Sequence, residues 1–270
     1  MSAVHDVATA GFGANAEVYD RSRPSYPPDV VAFFLDALDL TPGKRVCDLA
    51  AGTGIFTRLL APLGVSLLAC EPVAGMRAQL RAGLPDVPVV AGTAESLPFA
   101  RSSLDAITVA QAFHWFDGER AIGEVHRVLR PGGRLGLLWN ARDRSVAWID
   151  EVWSVMDRVE KRAPWRDHDK DRADPHAWRE EAMYHHPGLT PFEAASFHHE
   201  QLVTPEGVVD RVRGVSHVQV LPPAERDAVL AEVRAIVAAH PESRGRAQLA
   251  IPYRVDCYWT ERLPLPIDPA

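Results

Sequence analysis

Short apolar runs alternate with amphipathic segments between residues 28 and 140, and this alternation limits the possible fold more than any other feature of the chain. A near-continuous apolar run such as VSLLACE (65–71) is typical of a strand that is buried on both faces. The segments between such runs repeat their apolar residues at the helical period. The pattern therefore predicts an α/β protein with right-handed crossovers and a parallel sheet covered on both faces.

Five strands and four helices are predicted up to residue 140. The strands are GKRVCDLA (43–50), VSLLACE (65–71), VPVVAG (87–92), SLDAITVAQAF (103–113) and RLGLLWN (134–140). The helices are PPDVVAFFLDAL (27–38), GIFTRLLAPLG (54–64), PVAGMRAQLRAG (72–83) and GERAIGEVHRVL (118–129). The segment RPGG (130–133) predicts a turn before the fifth strand.

The pattern changes after residue 140. Helices are predicted at 145–162, 204–215 and 222–239, and strands at 191–203 and 249–263. The charged, proline-broken segment 163–178 predicts a loop or lid. We expect residues 1–140 to form the core, 141–190 a helical or loop cap over a substrate site, and 191–270 to complete the same sheet domain.

Composition limits the class of partner. Apolar residues make up 47% of the chain, and the net charge of -7 argues against a protein that tracks nucleic-acid phosphates. The three cysteines, Cys47, Cys70 and Cys257, are odd in number and widely spaced, which favours buried reduced thiols over a disulfide scaffold or a zinc knuckle. The first residues do not resemble a signal peptide, and no segment approaches the length of a membrane span. A cytoplasmic protein with neither a membrane nor a nucleic acid as partner is expected.

The segment DLAAGTG (48–54) lies between a predicted strand and a predicted helix. Gly52 and Gly54 allow backbone torsions closed to other residues and let a ligand approach the main chain. The following helix presents free N–H groups to an acceptor. Glu71 ends the next strand, 17 residues after Gly54, where a carboxylate can accept both hydroxyls of a ribose.

Two ligands compete for such a turn. A dinucleotide needs a third glycine where this chain has Thr57, and its pyrophosphate would be repelled by Asp48. A cationic ligand that carries an amino group fits better. A plain tight turn would explain the glycines alone, but not the combination of glycines with two acidic residues.

Several motifs in order resemble the class I S-adenosylmethionine-dependent methyltransferases over residues 12 to 140. They are VCDLAAGTG (46–54), CEPVAGM (70–76), AGTAESLPF (91–99), LDAITVAQAFHWFD (104–117) and VLRPGGRLGLLW (128–139). Ala50 stands where the family usually has the first of three glycines. The segment FGANAEVYDRSRPSYP (12–27) is similar to small-molecule methyltransferases of the trans-aconitate type.

The resemblance implies a doubly wound, mostly parallel, seven-stranded Rossmann-like sheet with a helical cap, and S-adenosylmethionine as cofactor. It also implies a set of cofactor-binding residues. Those at the methionine end and the glycine turn are Asp48, Ala50, Gly52 and Gly54; those at the ribose and adenine are Glu71, Pro72, Met76, Ala94 and Glu95; those beneath the sulfonium are Gln111 and Ala112; those that close over the cofactor carboxylate are Tyr19 and Arg23.

Methyl transfer from a sulfonium is an in-line displacement, so neither a metal nor a nucleophilic side chain is required. A carboxylate acceptor needs no base, whereas a hydroxyl or an acidic carbon does. His114, just past the fourth strand, is the candidate base; alternatively its ring packs beside Trp115 and Phe116 and only shapes the pocket. Both interpretations are open.

The remaining histidines and tryptophans suggest weaker hypotheses. The adjacent pairs His185–His186 and His198–His199 would face opposite ways in a strand, so they are interpreted as surface or lid residues rather than metal ligands. Five tryptophans between 139 and 178 could roof an apolar acceptor, although Trp153 is expected to face the core. They are Trp139, Trp148, Trp153, Trp165 and Trp178.

We therefore predict S-adenosylmethionine-dependent methyl transfer to a small molecule, at a carboxylate or hydroxyl oxygen, with a carbon or nitrogen atom as the alternative acceptor. The first alternative is a protein that binds the cofactor without transferring its methyl group. A nicotinamide dehydrogenase is disfavoured by Thr57. A nucleic-acid methyltransferase is disfavoured by the acidic charge, and a protein methyltransferase only by the tryptophan-rich segment. The oligomeric state is not indicated by the sequence.

Overall fold

A computed structural model describes residues 23–162 and 186–264. The helices are α1 (Pro28–Ala37), α2 (Thr57–Leu60), α3 (Ala74–Gly83), α4 (Gly118–Val128), α5 (Ala147–Glu160), α6 (Pro205–Arg213), α7 (Ser216–Gln219) and α8 (Pro223–Ala239). The strands are β1 (Arg45–Leu49), β2 (Ser66–Cys70), β3 (Val89–Val90), β4 (Leu104–Ala110), β5 (Leu129–Arg142), β6 (Glu193–Val203) and β7 (Leu249–Glu261). None of the helices in these two ranges is both long and apolar enough to cross a membrane.

The strands form one seven-stranded sheet in the order β3-β2-β1-β4-β5-β7-β6. The pairs β1–β2, β1–β4, β2–β3 and β4–β5 are parallel. β7 is antiparallel to its neighbours: the Arg262 carbonyl accepts from Gly132 N while Arg262 N donates to the Gly133 carbonyl. The mostly parallel α/β sheet predicted from the sequence is confirmed.

Both faces of the central strands are buried by helices. Ile107 and Leu137 belong to an apolar cluster that includes α4. Their chain neighbours, Ala106 and Leu138, belong to a second cluster that includes α1 and α2. Because adjacent strand residues point to opposite faces, this division explains why the strands read as continuous apolar runs rather than as alternating patterns.

The second helix is shorter than predicted. α2 ends at Leu60, and residues Ala61–Leu63 form a 3₁₀ turn. Pro62 has no N–H to continue the α-helical bonding, and Gly64, with φ of 74°, ends the segment as expected. The third strand is also shorter, since only Val89 and Val90 pair with β2.

The predicted turn RPGG lies within β5 rather than before it. Leu104 of β4 pairs with Leu129, but Ala106 pairs with Arg134, so two steps on β4 match five on β5. Residues 130–133 therefore form an irregularity between two paired parts of one strand. Gly132, with φ of 76°, supplies the positive torsion that this detour needs.

Contacts divide the chain into two compact units. Of the described residues, one unit comprises 23–25, 140–162 and 198–254, and the other comprises 26–139, 186–197 and 255–264. β6 and β7 join the sheet, as the prediction for 191–270 requires, while residues 198–254 group with 140–162, so the predicted division into core and cap stays a prediction. This second group has its own apolar core, because α8 packs against both α5 and α6 and the buried residues of the three helices form one cluster.

Candidate active site

The turn after β1 has an unusual backbone. Ala50, Gly52 and Gly54 have φ of 53°, 58° and 89°, so three of five consecutive residues lie in the left-handed region. A Cβ on Gly54 would lie 3.0 Å from Leu80 Cγ, whereas a Cβ on Gly52 would meet only Met76 Sδ, at 3.7 Å. Gly54 thus allows close packing against α3, and Gly52 keeps space open at the turn.

Ala50 is a non-glycine residue in a position that suits glycine. We expect Ala50→Gly to raise the free energy of unfolding by about 0.5–1 kcal/mol, because the left-handed strain of a Cβ outweighs the extra backbone entropy of glycine. Urea denaturation measures the change. Ala78→Gly, exposed within α3, is the matched control and should lower stability by about 1 kcal/mol. If both substitutions changed the free energy of unfolding in the same direction, strain at Ala50 would be contradicted.

Glu71 follows β2 and is only 3% exposed. Its Oε2 accepts from Gly52 N at 2.9 Å, and its Oε1 accepts from Val73 N at 2.8 Å. The carboxylate thus ties the glycine turn to the start of α3. Each carboxylate oxygen has two acceptor positions, so each retains one for a further donor. A vicinal diol offers two such donors.

Asp48 lies in β1 and is fully buried. Its Oδ2 accepts from Thr57 Oγ1 at 2.6 Å, and its Oδ1 accepts from Thr108 Oγ1 at 2.9 Å. Thr57 begins α2, and Thr108 pairs directly with Asp48 in the β1–β4 register. The side chain therefore fastens α2 and β4 to β1, and its predicted contact with the cofactor stays a prediction.

Both carboxyl groups are buried, and burial destabilises their ionised forms. Burial raises the pKa of Asp48 from 3.8 to about 6, against the opposing effect of the two threonine hydroxyls, and the nearby charge of Glu71 adds to the rise. Burial also raises the pKa of Glu71, partly offset by its two backbone bonds and by Arg77. A cation bound beside these groups would relieve this cost, whereas a pyrophosphate would increase it.

The carboxyl end of β4 carries the next predicted residues. Gln111 has φ of 59° and donates its N–H to the Leu138 carbonyl, and Ala112 is buried. Phe113–Trp115 form a 3₁₀ turn that leaves His114 exposed. Non-glycine residues with a positive φ cluster at functional sites, and Gln111 is such a residue at the end of a strand.

His114 has a defined neighbour in the sheet. Trp139 Nε1 lies 3.4 Å from His114 Nδ1 and donates to it. The ring of His114 also lies 4.9 Å from that of Trp115, as one of the two interpretations expected. An Nδ1 that accepts this bond leaves the proton of a neutral imidazole on Nε2.

The predicted adenine-side residues flank the same edge. Met76 is 5% exposed beside Gly52, and Pro72 is exposed. Ala94 is buried, and Glu95 Oε1 accepts from Asp117 N at 3.0 Å, at the start of α4. The structure thus gathers the residues around the carboxyl ends of β1, β2 and β4.

Several predicted residues fall elsewhere. Tyr19 lies outside the described residues, and Arg23 belongs to the other compact unit, so their closure over the cofactor stays a prediction. Within residues 23–162 and 186–264, no group of three or more His, Cys, Asp or Glu side chains is placed to hold a metal.

Of the three described tryptophans, Trp139, Trp148 and Trp153, the hypothesis of a roof over the acceptor is wrong for Trp139 and Trp148. All three are at most 3% exposed, because their rings fill apolar cores. The burial expected for Trp153 is confirmed. Trp165 and Trp178 lie outside the described residues.

Of the adjacent histidines, which were interpreted as surface or lid residues, two are partly buried. His186 is half-buried against the ring of His126, at 4.7 Å, and His199 is half-buried with its Nε2 2.8 Å from Asn140 Oδ1. His198 is exposed, as alternation along β6 requires, and His185 lies outside the described residues.

Two solved structures share this fold. The YcgJ protein of Bacillus subtilis aligns with a TM-score of 0.54 and 18% identity, over 87% of this chain and 99% of its own. A phosphoethanolamine N-methyltransferase 2 of Haemonchus contortus, in complex with phosphomonomethylethanolamine and S-adenosylhomocysteine, aligns with a TM-score of 0.54 and 10% identity. It covers 98% of this chain and 61% of its own. At these identities the likeness shows the fold alone.

Sequence comparison identifies the family. A methyltransferase domain family matches residues 47–137. An uncharacterized methyltransferase of Mycobacterium tuberculosis is 37% identical over 246 residues, 91% of this chain and 93% of the relative. An uncharacterized methyltransferase-like protein of Schizosaccharomyces pombe is 30% identical over 258 residues, 94% of this chain and 96% of the relative. The chain belongs to the class I methyltransferases.

The class I fold implies S-adenosylmethionine as the cofactor of this methyltransferase, and the residues present fit that group. Glu71 retains two acceptor positions for a ribose diol, Gly52 leaves room where a Cβ would meet only Met76, and two buried carboxyls favour a positive ligand. The predicted methyltransferase activity is confirmed at the level of the family.

Some residues of the methyltransferase site were missed by sequence reasoning. Thr57 was weighed only as a missing glycine, and Thr108 was read as part of an apolar strand. Arg77 was not singled out, although its Nη1 donates to the carbonyls of Glu71 and Pro72 and fixes this turn. The signal available for Thr108 was a polar residue inside a central strand, where an unpartnered hydroxyl would be costly.

Proposed function

We propose that this protein transfers a methyl group from S-adenosylmethionine to an oxygen of a small-molecule acceptor, and that the carboxyl ends of β1, β2 and β4 hold the cofactor. The observation that carries the proposal is the pair of buried carboxyl groups, Asp48 and Glu71, with raised pKa values beside an open glycine position. Such a site favours a ligand with positive charge and a diol.

The cofactor supplies a methyl group on a positively charged sulfur that is already activated for displacement. In the proposal, Glu71 accepts the ribose hydroxyls and Met76 packs near the adenine. Ala94 and Glu95 border the adenine edge, and Gln111 and Ala112 lie under the sulfonium. These residues contribute by orientation and by exclusion of water, and orientation alone is worth roughly 7–11 kcal/mol in well-aligned reactions.

Binding and turnover test the proposal separately. Isothermal titration should give saturable binding of S-adenosylmethionine and S-adenosylhomocysteine, with none of NAD. Mass spectrometry with a panel of carboxylic acids and alcohols should then detect S-adenosylhomocysteine. Binding without product across the panel would favour the alternative, a cofactor-binding protein that does not transfer the methyl group. Binding of NAD alone would contradict the proposal.

For His114 we favour a positioning role over that of a base. The proton that the Trp139 bond leaves on Nε2 makes that nitrogen a donor to the acceptor molecule rather than a proton acceptor. His114→Ala should lower the rate about 10-fold, the cost of one neutral hydrogen bond, and His114→Gln should restore most of it. A general base would instead cost about 100-fold or more in both variants.

The measurement for His114 is S-adenosylhomocysteine formation across a pH series. A positioning donor leaves the pH profile of the glutamine variant close to that of the parent protein. If the fall in rate at acidic pH disappeared from the pH profiles of both variants, His114 would be shown to act as the base.

We also propose a cytoplasmic location. Cys47, Cys70 and Cys257 are all buried free thiols, which suits a reducing compartment. The further likeness to the trans-aconitate type rests on residues 12–27, most of which lie outside the described ranges.

A further inference from the structure

The segment between β3 and β4 contains a tight turn formed by two of the predicted adenine-side residues. Ser96 N donates to the Thr93 carbonyl at 3.2 Å, so Ala94 and Glu95 are the central residues of this turn. Ala94 is buried in the same apolar cluster as the inner face of α4. A turn of this kind has no ladder of hydrogen bonds to a neighbouring strand, so contacts outside it must set its position.

Two charged side chains of α4 bind the backbone that follows the turn. Glu124 Oε2 accepts from Leu97 N at 2.7 Å. Arg127 Nη2 donates to the Leu97 carbonyl at 3.0 Å, and its Nη1 donates to the Phe99 carbonyl at 2.8 Å. Leu97 is buried, so its backbone groups need protein partners, and this pair supplies them. We call Glu124 and Arg127 the α4 clamp.

The two side chains of the α4 clamp also bind each other. Arg127 Nε donates to Glu124 Oε1 at 2.6 Å, and its Nη2 donates to Glu124 Oε2 at 2.8 Å, which is a bidentate pair. The bonds from Arg127 hold the pKa of Glu124 below its ordinary value, and Glu124 raises the pKa of Arg127. The pair is therefore ionised at neutral pH. It has a firm base, because α4 buries Ala121, Ile122, Val125 and Val128.

The turn is fixed to its surroundings at further points. A Cβ on Gly92 would lie 2.7 Å from Pro98 Cδ and 2.8 Å from Cys70 Sγ, so the residues before and after the turn are in close contact at the end of β2. Glu95 Oε1 accepts from Asp117 N, and Asp117 is the N-cap of α4. A shift of residues 97–99 would therefore displace the turn from β2 and from the start of α4 together.

We propose that Glu124 and Arg127 are positioning residues that hold Ala94 and Glu95 against the adenine edge of the cofactor. This inference rests on the proposed function, which supplies the cofactor. The α4 clamp acts on the cofactor through the backbone of residues 97–99. Polar groups discriminate strongly between related ligands only when they are fixed in place, so the α4 clamp also determines how well the site distinguishes adenine from other bases.

Isothermal titration with S-adenosylhomocysteine and S-inosylhomocysteine tests the α4 clamp. The second ligand has hypoxanthine in place of adenine, so an acceptor oxygen replaces the donor amino group. The parent protein should bind S-adenosylhomocysteine about 10-fold or more tightly than S-inosylhomocysteine, because the mismatched base leaves polar groups unpaired. Arg127→Met should remove most of this preference, by weakening S-adenosylhomocysteine binding about 10-fold while changing S-inosylhomocysteine binding little.

Two further variants define the geometry that is needed. Arg127→Lys retains the positive charge but not the planar donor set that serves three acceptors, so its preference should lie between those of the parent protein and Arg127→Met. Arg120→Met is the matched control, because Arg120 is an exposed arginine of the same helix. It should leave both affinities unchanged.

Hydrogen exchange without ligand separates positioning from loss of folding. In Arg127→Met the amides of residues 93–99 should exchange about 10-fold or more faster than in the parent protein, because the turn opens locally. The amides of β4 (Leu104–Ala110) should keep the exchange rates of the parent protein. Faster exchange of β4 in both Arg127 variants would assign the pair a structural role and overturn the proposal.

The binding data can overturn the proposal in three ways. Arg127→Met could bind S-adenosylhomocysteine as the parent protein does, it could lose affinity for both ligands equally, or the parent protein could bind both ligands equally. Unchanged exchange of residues 93–99 in Arg127→Met would also overturn it. Failure of the proposed function gives a different result, since the parent protein itself would then bind no S-adenosylhomocysteine, and both proposals would fall together.

Discussion

Asp48→Asn is expected to stabilise the free protein at neutral pH by about 1–2 kcal/mol. The folded-state pKa of Asp48 is raised from 3.8 to about 6, so the folded protein binds more protons than the unfolded chain between these values. Stability of the parent protein therefore falls as pH rises through this window, by at most about 3 kcal/mol. Asparagine resembles the protonated acid and avoids this loss, although it accepts one hydrogen bond fewer.

Urea denaturation at about pH 4, 5, 6 and 7.5 measures the effect. As pH rises across the series, ionisation of Asp48 should lower the free energy of unfolding of the parent protein. Asp48→Asn should lack this decrease. Asp105→Asn is the matched control, because Asp105 is a buried aspartate of β4 that pairs with Arg130 and accepts from Arg45 N at 2.7 Å. That variant should be less stable than the parent protein. A less stable Asp48→Asn at pH 7.5 would contradict an unrelieved charge at this position.

The same substitution should weaken the cofactor complex. A cation bound near Asp48 favours the ionised carboxyl, so affinity for S-adenosylmethionine should rise with pH through about 6 in the parent protein. Asp48→Asn should bind less tightly and with little dependence on pH. Stability would thus increase at the expense of binding, which is common at functional sites.

Glu71→Gln is expected to weaken binding of S-adenosylhomocysteine about 10- to 100-fold. A hydrogen bond to a charged acceptor contributes about 1.5–3 kcal/mol, and an amide retains only one oxygen for the ribose and the backbone donors together. Isothermal titration measures the change. Glu119→Gln, an exposed glutamate of α4, should bind as the parent protein does.

Loss of folding must be separated from loss of a contact in this experiment. Glu71 also accepts from Gly52 N and Val73 N, so the variant's circular dichroism and unfolding temperature are measured alongside. A folded Glu71→Gln with unchanged affinity would remove the ribose from this carboxylate and with it the principal support for the proposed cofactor site.

The sheet was predictable because a strand that is buried on both faces has apolar residues at nearly every position. Ile107 and Ala106 face opposite clusters, and both must be apolar. The sequence does not show in the same way that the RPGG irregularity lies within a strand. Proline and glycines indicate a departure from regular structure, but pairing of Leu104 with Leu129 brings the segment into the strand. Such pairing depends on residues far away in the chain.

The site was predictable where chemistry follows from position along the chain. Asp48 and Glu71 come at strand ends beside glycines, and a linear pattern contains that information. Their partners were not predictable in the same way, because Thr108 meets Asp48 through the register of two strands separated by 60 residues.

The three thiols have a practical consequence for studying this enzyme in solution. Cys47, Cys70 and Cys257 lie in β1, β2 and β7, and burial raises the pKa of Cys70 and of Cys257 to about 12 and that of Cys47 as well. Alkylating reagents attack thiolates, so the native sheet is protected from them and only opened molecules react. The rate at which the native cysteines are alkylated therefore reports how often the sheet opens, with no engineered probe. A ligand that binds at the edge of the sheet and stabilises it will slow this alkylation.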